Sequence, residues 1–148
     1  MGSATYYLKA RFASKAAALK AKPKVQAFLE EGGLAYAYWQ KHRGAFSENE
    51  EPFSWQHFKK KFPLVSKYLG PLFGGDSNNG LAGIISFGGC DVEDALLEHG
   101  DELWYSEETW HLADWNPLCR FLETEFGAQA TAWVSDEKLD PWDSVNLT

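Results

Sequence analysis

The sequence predicts an α+β protein, with a mostly antiparallel sheet and helices packed on one of its faces. Two patterns in the 148 residues carry this prediction. Residues 5–12 alternate between apolar and polar side chains, as a half-buried strand does. Residues 117–126 instead repeat their apolar side chains at helical spacing. Segments of both kinds recur along the chain, so we expect strands and helices to be mixed.

The first forty residues predict a strand, a helix and a second strand. A helix over 15–31 follows the strand at 5–12, and we expect Pro23 either to kink this helix or to divide it. The pair Gly32–Gly33 predicts where the helix ends. Residues 34–40 read LAYAYWQ, and their aromatic content favours a strand.

The middle of the chain predicts a helical insertion at about residues 41–73. Ser54 begins a segment with apolar residues at helical spacing, and Pro63 predicts a break or a kink in it. Residues 81–87, LAGIISF, are apolar, partly β-branched and bounded by turn residues. They predict a central strand of the sheet.

The last third of the chain predicts two further helices and two further strands. These elements are a helix over 92–99 capped by Asp91, a strand over 102–112, a helix over 117–126 and a strand over 128–135. Gly127 is expected to end the second helix, because glycine readily adopts the left-handed conformation found there.

This order of elements predicts a ferredoxin-like fold, the split βαβ arrangement, with a helical insertion. A chain of this length folds around one core, so we expect a single domain over 1–148. Residues 136–148 read as an acidic tail with Trp142 and Val145 as docking points.

Charge is divided unequally between the two halves of the chain. Residues 1–89 contain twelve Lys or Arg and six Asp or Glu, whereas residues 90–148 contain two basic and fifteen acidic residues. The sum is a net charge of −7. Either the halves complement each other within one domain, or the acidic half faces a basic partner.

The favoured hypothesis is a small, non-enzymatic binding protein of the inhibitor or immunity type. Five of the seven tryptophans fall within residues 104–142 of the acidic half. Because tryptophan anchors interfaces and charge steers association, this half is expected to engage a basic protein partner. The expected partner-binding residues are Trp104, Glu107, Glu108, Trp110, Asp114 and Trp142.

An enzyme, or a small-molecule-binding protein with a site near residues 88–111, is the alternative hypothesis. Cys90 follows two glycines at the expected start of a helix, a position that lowers a thiol's pKa. Neighbouring acids oppose that effect. In this alternative, His99 and His111 would join Cys90 in a catalytic site.

Nucleic-acid binding through the basic first half is a third hypothesis, disfavoured by the sequence pI of about 5.0. We expect no metal and no cofactor. Glu107 and His111, on one face of a strand, would lie about 13 Å apart at roughly 3.3 Å per residue. Two cysteines form no disulfide framework, and the longest apolar run, 81–87, is too short to span a membrane. These features predict a cytoplasmic protein.

Overall fold

A computed structural model of the chain describes residues 3–42, 54–68, 87–110 and 115–135. These residues form helices and a four-stranded antiparallel sheet, which confirms the predicted α+β class. The elements in chain order are β1 (Ser3–Arg11), α1 (Lys15–His42), α2 (Trp55–Lys61), α3 (Pro63–Tyr68), α4 (Val92–Ala95), β2 (Leu97–His99), β3 (Glu102–Trp110), α5 (Asn116–Phe126) and β4 (Gln129–Ser135).

The strands of this sheet follow the order β2-β3-β1-β4. β1 pairs with β3 in one continuous register, from Ser3 opposite Trp110 to Arg11 opposite Glu102. On its other side, β1 pairs with β4 up to Arg11 opposite Gln129. The first strand of the chain is therefore central to the sheet.

The sheet has two chemically different faces because side chains alternate along each strand. The inner face carries Tyr6, Leu8 and Ala10 of β1, which join the buried residues of the described helices in one apolar core. The outer face carries the side chains of the other parity, including Tyr7 and Lys9. The predicted packing of helices on one face thus matches the position of the core.

Helix α1 differs from the prediction because it runs without interruption through residues 15–42. Pro23 does not divide it, Gly32–Gly33 do not end it, and residues 34–40 are helical, so the predicted strand is wrong. Ala35 and Trp39 are buried at helical spacing, which gives this aromatic segment a place in the core. Tertiary burial has outweighed its local preference for strand.

The two glycines of α1 serve close packing. A Cβ atom on Gly32 would lie 2.1 Å from Cε1 of Phe87, and one on Gly33 would lie 2.1 Å from the carbonyl oxygen of Gly88. The segment around Phe87 therefore lies directly against the helix backbone. Residues with side chains at these two positions would push that segment away.

The predicted helix start at Ser54 and the break at Pro63 are both confirmed. The Ser54 hydroxyl accepts a hydrogen bond from the backbone N–H of His57, and α2 ends just before Pro63 begins α3. Lys41 and His42, predicted to belong to the insertion, continue α1. Residues 43–53 and 69–86 lie outside the description, and with them most of the predicted strand over 81–87.

The helix predicted over 92–99 is too long. α4 ends at Ala95, and Leu97–His99 instead form β2, which pairs with Glu102–Trp104 of β3. Gly100, with φ of +62°, lies in the turn between these two strands.

The strand at 128–135 and the end of α5 at Gly127, with φ of +63°, are confirmed. The predicted tail at 136–148 lies outside the described residues.

Phe28 of α1 is at the centre of the core. Its ring stacks on Phe121 of α5 with the ring centroids 4.0 Å apart, and it also contacts Phe87 and Tyr68. This cluster ties α1, α3 and α5 together. Among the helices described, none is both long enough and apolar enough to cross a membrane.

Candidate functional site

Ion pairs connect the basic first half of the chain to its acidic second half. Four are present within the described residues: Lys9–Glu102 at 3.7 Å, Arg11–Glu102 at 3.0 Å, Lys22–Glu98 at 2.9 Å and Lys67–Glu125 at 3.2 Å. Each joins a base from residues 1–89 to an acid from residues 90–148. Part of the unequal charge division is therefore satisfied within the fold.

The described part of the chain is electrically balanced. It contains twelve Lys or Arg and twelve Asp or Glu side chains. The net charge of −7 for the whole chain therefore comes from the remaining residues. Glu98, Glu102 and Glu125 therefore pair with bases within the fold, whereas the excess of acids that makes the chain negative lies outside the described residues.

The outer face of the sheet carries a cluster of five polar and aromatic residues, Lys9, Arg11, His99, Glu102 and Trp104, which we call the outer-face cluster. The His99 ring stacks on Trp104 with centroids 3.7 Å apart, and the Lys9 ammonium lies 4.8 Å from the indole centroid. The indole N–H donates to Glu102 at 3.0 Å. Arg11 donates to the other oxygen of the same carboxylate at 3.0 Å and 3.2 Å.

The outer-face cluster holds Trp104 in one orientation. Its neighbours come from both adjacent strands, His99 from β2 and Lys9 from β1. Cation–π contacts of this kind contribute about 0.5–1 kcal/mol at exposed sites. Trp104 remains partly exposed, and Leu97, across from it on β2, is 42% exposed. The result is a rigid aromatic side chain at the surface, with its N–H already bonded.

A second aromatic pair lies farther along the outer face. Tyr7 of β1 stacks on Trp133 of β4 with ring centroids 5.4 Å apart. Tyr7 is only 6% exposed, so its ring face is not offered to a ligand. Base stacking on single-stranded nucleic acid requires accessible ring faces. Tyr7 does not provide one, whereas Trp104 remains partly exposed between His99 and Lys9.

Glu107 lies on the inner face, where its carboxylate anchors the segment before α4. It accepts hydrogen bonds from the backbone N–H groups of Gly88 at 2.8 Å and Gly89 at 3.1 Å, and from the Tyr105 hydroxyl at 2.5 Å. Burial raises the pKa of this carboxyl above its usual value, although the hydrogen bonds oppose the shift. Glu107 thus has a role within the fold that its sequence position does not reveal.

Cys90 and His99 lie on opposite sides of the sheet. The Cys90 sulfur is 3.3 Å from the hydroxyl of Tyr105, an inner-face residue, whereas His99 stacks on Trp104 at the outer face. Burial, aided by the negative charge of Glu107, raises the pKa of the Cys90 thiol, which opposes thiolate formation. The structure therefore does not assemble these two residues into one site, and His111 lies outside the described residues.

The remaining predicted partner-binding residues are only partly described. Glu108 is exposed on the outer face, four residues from Trp104 on the same strand. Trp110 ends β3 opposite Ser3. Asp114 and Trp142 lie outside the described residues. Lys9 and Arg11 were not among the predicted site residues, although the alternation at 5–12 already placed them on the face opposite Tyr6.

A cavity of about 240 Å³ has no lining residue from the predicted site region at residues 88–111. It is lined by Phe12, Ala17, Lys20, Ala21, Lys24, Glu125 and Phe126. It lies between the start of α1 and the end of α5, so this cavity is not the site predicted at residues 88–111. No group of three or more metal-binding side chains occurs in the parts of the chain that are described.

The raised pKa of Glu107 predicts a pH dependence of stability. The folded state binds more protons at this carboxyl than the unfolded state, so its contribution to stability falls as pH rises above the ordinary value of 4.5. Glu107→Gln removes this titration. We therefore expect the free energy of unfolding of wild type, minus that of the variant, to decrease with rising pH in urea titrations. A pH-independent difference, or an increasing one, would contradict this assignment.

Comparison with known proteins identifies no relative for this chain. No protein-family model matches it, and neither the curated proteins nor the solved structures yield a significant match. The candidate site is accordingly defined by its own geometry, with the outer-face cluster around Trp104 as its centre.

Proposed function

We propose that this chain is a small, non-enzymatic binding protein that docks a basic protein partner on the outer face of its sheet. The observation that carries the proposal is the fixed, partly exposed Trp104, held by His99, Lys9 and Glu102. Pre-ordered aromatic anchors lose little conformational entropy on binding, which favours affinity. Tryptophan is also the residue type most enriched among interface hot spots.

The basic character of the partner is proposed from charge. The chain carries a net charge of −7, whereas its described residues are balanced. A net charge of this sign accelerates association with a positively charged protein and disfavours acidic competitors. Glu108, exposed on the same face as Trp104, would lie at the edge of the contact. Asp114 and Trp142 belong to the proposal on sequence grounds alone.

The two other hypotheses receive less support from the geometry. A catalytic site of Cys90 with His99 would require these residues on one side of the sheet, and they contact opposite faces. Nucleic-acid binding would require accessible aromatic ring faces beside basic side chains that can reach phosphate. Beside Trp104, the basic side chains of Lys9 and Arg11 both pair with Glu102.

We also propose that the chain has a ferredoxin-like fold and is located in the cytoplasm. The strand order β2-β3-β1-β4, with α1 between β1 and β2 and α5 between β3 and β4, supports a ferredoxin-like split βαβ arrangement. The residues at 54–68, within the proposed insertion, add α2 and α3. The two reduced cysteines support a reducing compartment such as the cytoplasm.

Affinity capture tests this function. The immobilised full-length chain is compared with Trp104→Ala and with Leu34→Ala, a control at a leucine that is 65% exposed on α1. We expect the wild type and the control to retain the same proteins of high pI from a nuclease-treated lysate. The affinity of Trp104→Ala for these proteins should fall about thirtyfold, since loss of a hot spot costs about 2 kcal/mol.

Circular dichroism of the three baits establishes that each is folded. Capture of the same proteins by Trp104→Ala would exclude the outer-face cluster as the binding site. Retained proteins with no basic bias, or retention lost after nuclease treatment, would contradict a basic protein partner.

A further inference from the structure

The two edges of the sheet differ in how well they are protected against pairing with another strand. β2, at one edge, is only three residues long, and its Glu98 is ion-paired with Lys22. Short length and charge are both features that prevent edge-to-edge association. β4, at the other edge, is seven residues long and reads QATAWVS, without a charged residue or a proline.

The side of β4 that faces away from β1 has no strand paired to it within the described residues. β4 pairs with β1 at seven consecutive positions, so no bulge twists it out of line. Its side chains also reach solvent on both faces. Thr131 is exposed on the outer face, and Val134 is 45% exposed on the inner face. A strand with these properties is open to a further pairing.

We propose that β4 pairs antiparallel with β4 of a second copy of this chain, forming a two-fold symmetric dimer with a continuous eight-stranded sheet. In a two-fold interface, each strand meets its own sequence in reverse. Pairing centred on Ala132 places Val134 of one copy opposite Ala130 of the other, and Trp133 opposite Thr131. Each pair combines a larger with a smaller side chain, and each pair keeps both members on one face of the sheet.

The composition of β4 suits self-pairing better than pairing with the basic partner. Like charges directly opposite each other destabilise a strand pair, and β4 carries none. β4 also offers no acidic side chain that would recognise a basic strand. The exposed surface of Val134 would be covered by the second copy. The dimer would place two outer faces side by side, with one Trp104 on each.

Sedimentation velocity of the full-length chain over a wide concentration range tests the dimer. We expect a concentration-dependent shift from the 16.7 kDa monomer to a species of twice that mass. Val134→Lys should weaken this association at least about tenfold, which corresponds to about 1.4 kcal/mol. Thr131→Lys, on the other face of the same edge, should act similarly, whereas Leu34→Lys on α1 should dimerise like the wild type.

Hydrogen exchange provides a second readout, because amides of β4 should become more protected as the dimer forms. The proposal is overturned if the wild type remains monomeric over the whole range. It is also overturned if both β4 variants dimerise like the wild type, or if Leu34→Lys weakens association as much as they do. These outcomes are independent of whether Trp104 binds a partner, so they do not depend on the proposed function.

Discussion

Gly88→Ala is expected to destabilise the protein by about 3 kcal/mol or more. Gly88 has φ of +78°, a backbone conformation that costs an ordinary residue about 1–2 kcal/mol. An added Cβ would also lie 1.8 Å from the carbonyl oxygen of Leu29, in the backbone of α1. Relief requires moving one backbone segment, and overpacking of this kind adds about 1–3 kcal/mol. Urea unfolding followed by circular dichroism measures the loss.

Gly100→Ala is the matched control for this substitution. Gly100 has φ of +62°, close to that of Gly88, but an added Cβ there would meet no atom within 4 Å. We expect this variant to lose only the conformational part, about 1–2 kcal/mol. Equal losses for the two variants would show that the segment at Gly88 does not lie against α1.

Phe28→Ala is expected to lose about 3–5 kcal/mol, the usual cost of removing a buried phenylalanine. Phe28 is fully buried and contacts Phe87, Phe121 and Tyr68, so the cavity would be shared by three other parts of the fold. The free energy of unfolding from denaturant titration provides the measurement.

Leu34→Ala on the same helix supplies the comparison for Phe28→Ala. Leu34 is 65% exposed, and substitutions at such sites usually change stability by less than about 0.5 kcal/mol. A loss at Phe28 as small as that at Leu34 would contradict the central position of Phe28 in the core.

The alternation of side chains was the most reliable guide to the fold. It predicted β1, whose apolar residues Tyr6, Leu8 and Ala10 face the core. Helix α5 and its end at Gly127 followed from the 3.6-residue spacing and from glycine's left-handed conformation. In each case the local sequence preference agrees with the tertiary environment.

Helix α1 shows where local preference failed. Gly32 and Gly33 predicted a helix end, yet their function is to admit Phe87 and Gly88, which lie more than fifty residues away in the sequence. Nothing within the local sequence records that contact. The strand predicted over 34–40 failed for the same reason. The burial of Trp39 in the core depends on the remainder of the fold and not on its neighbours in the sequence.

The candidate site was predictable in part. Trp104 and Glu108 were predicted from the tryptophans and acids of the second half, and both lie on the outer face. Glu107, next to Glu108 in the sequence, faces inward and bonds Gly88 and Gly89. Alternation along β3 separates the two, but acidic composition alone treats them alike. The supporting Lys9 and Arg11 come from another strand, so their contact with Glu102 depended on the register.

Hydrogen exchange of the chain, free and bound to the basic protein that it captures, tests the central claim most directly. The account predicts that binding slows exchange in peptides of β2 and β3 around Trp104 and leaves α2 unchanged. α2 is a suitable reference because it carries Lys59, Lys60 and Lys61, which a basic partner would avoid. Protection confined to α2, with no change around Trp104, would contradict binding at the outer face.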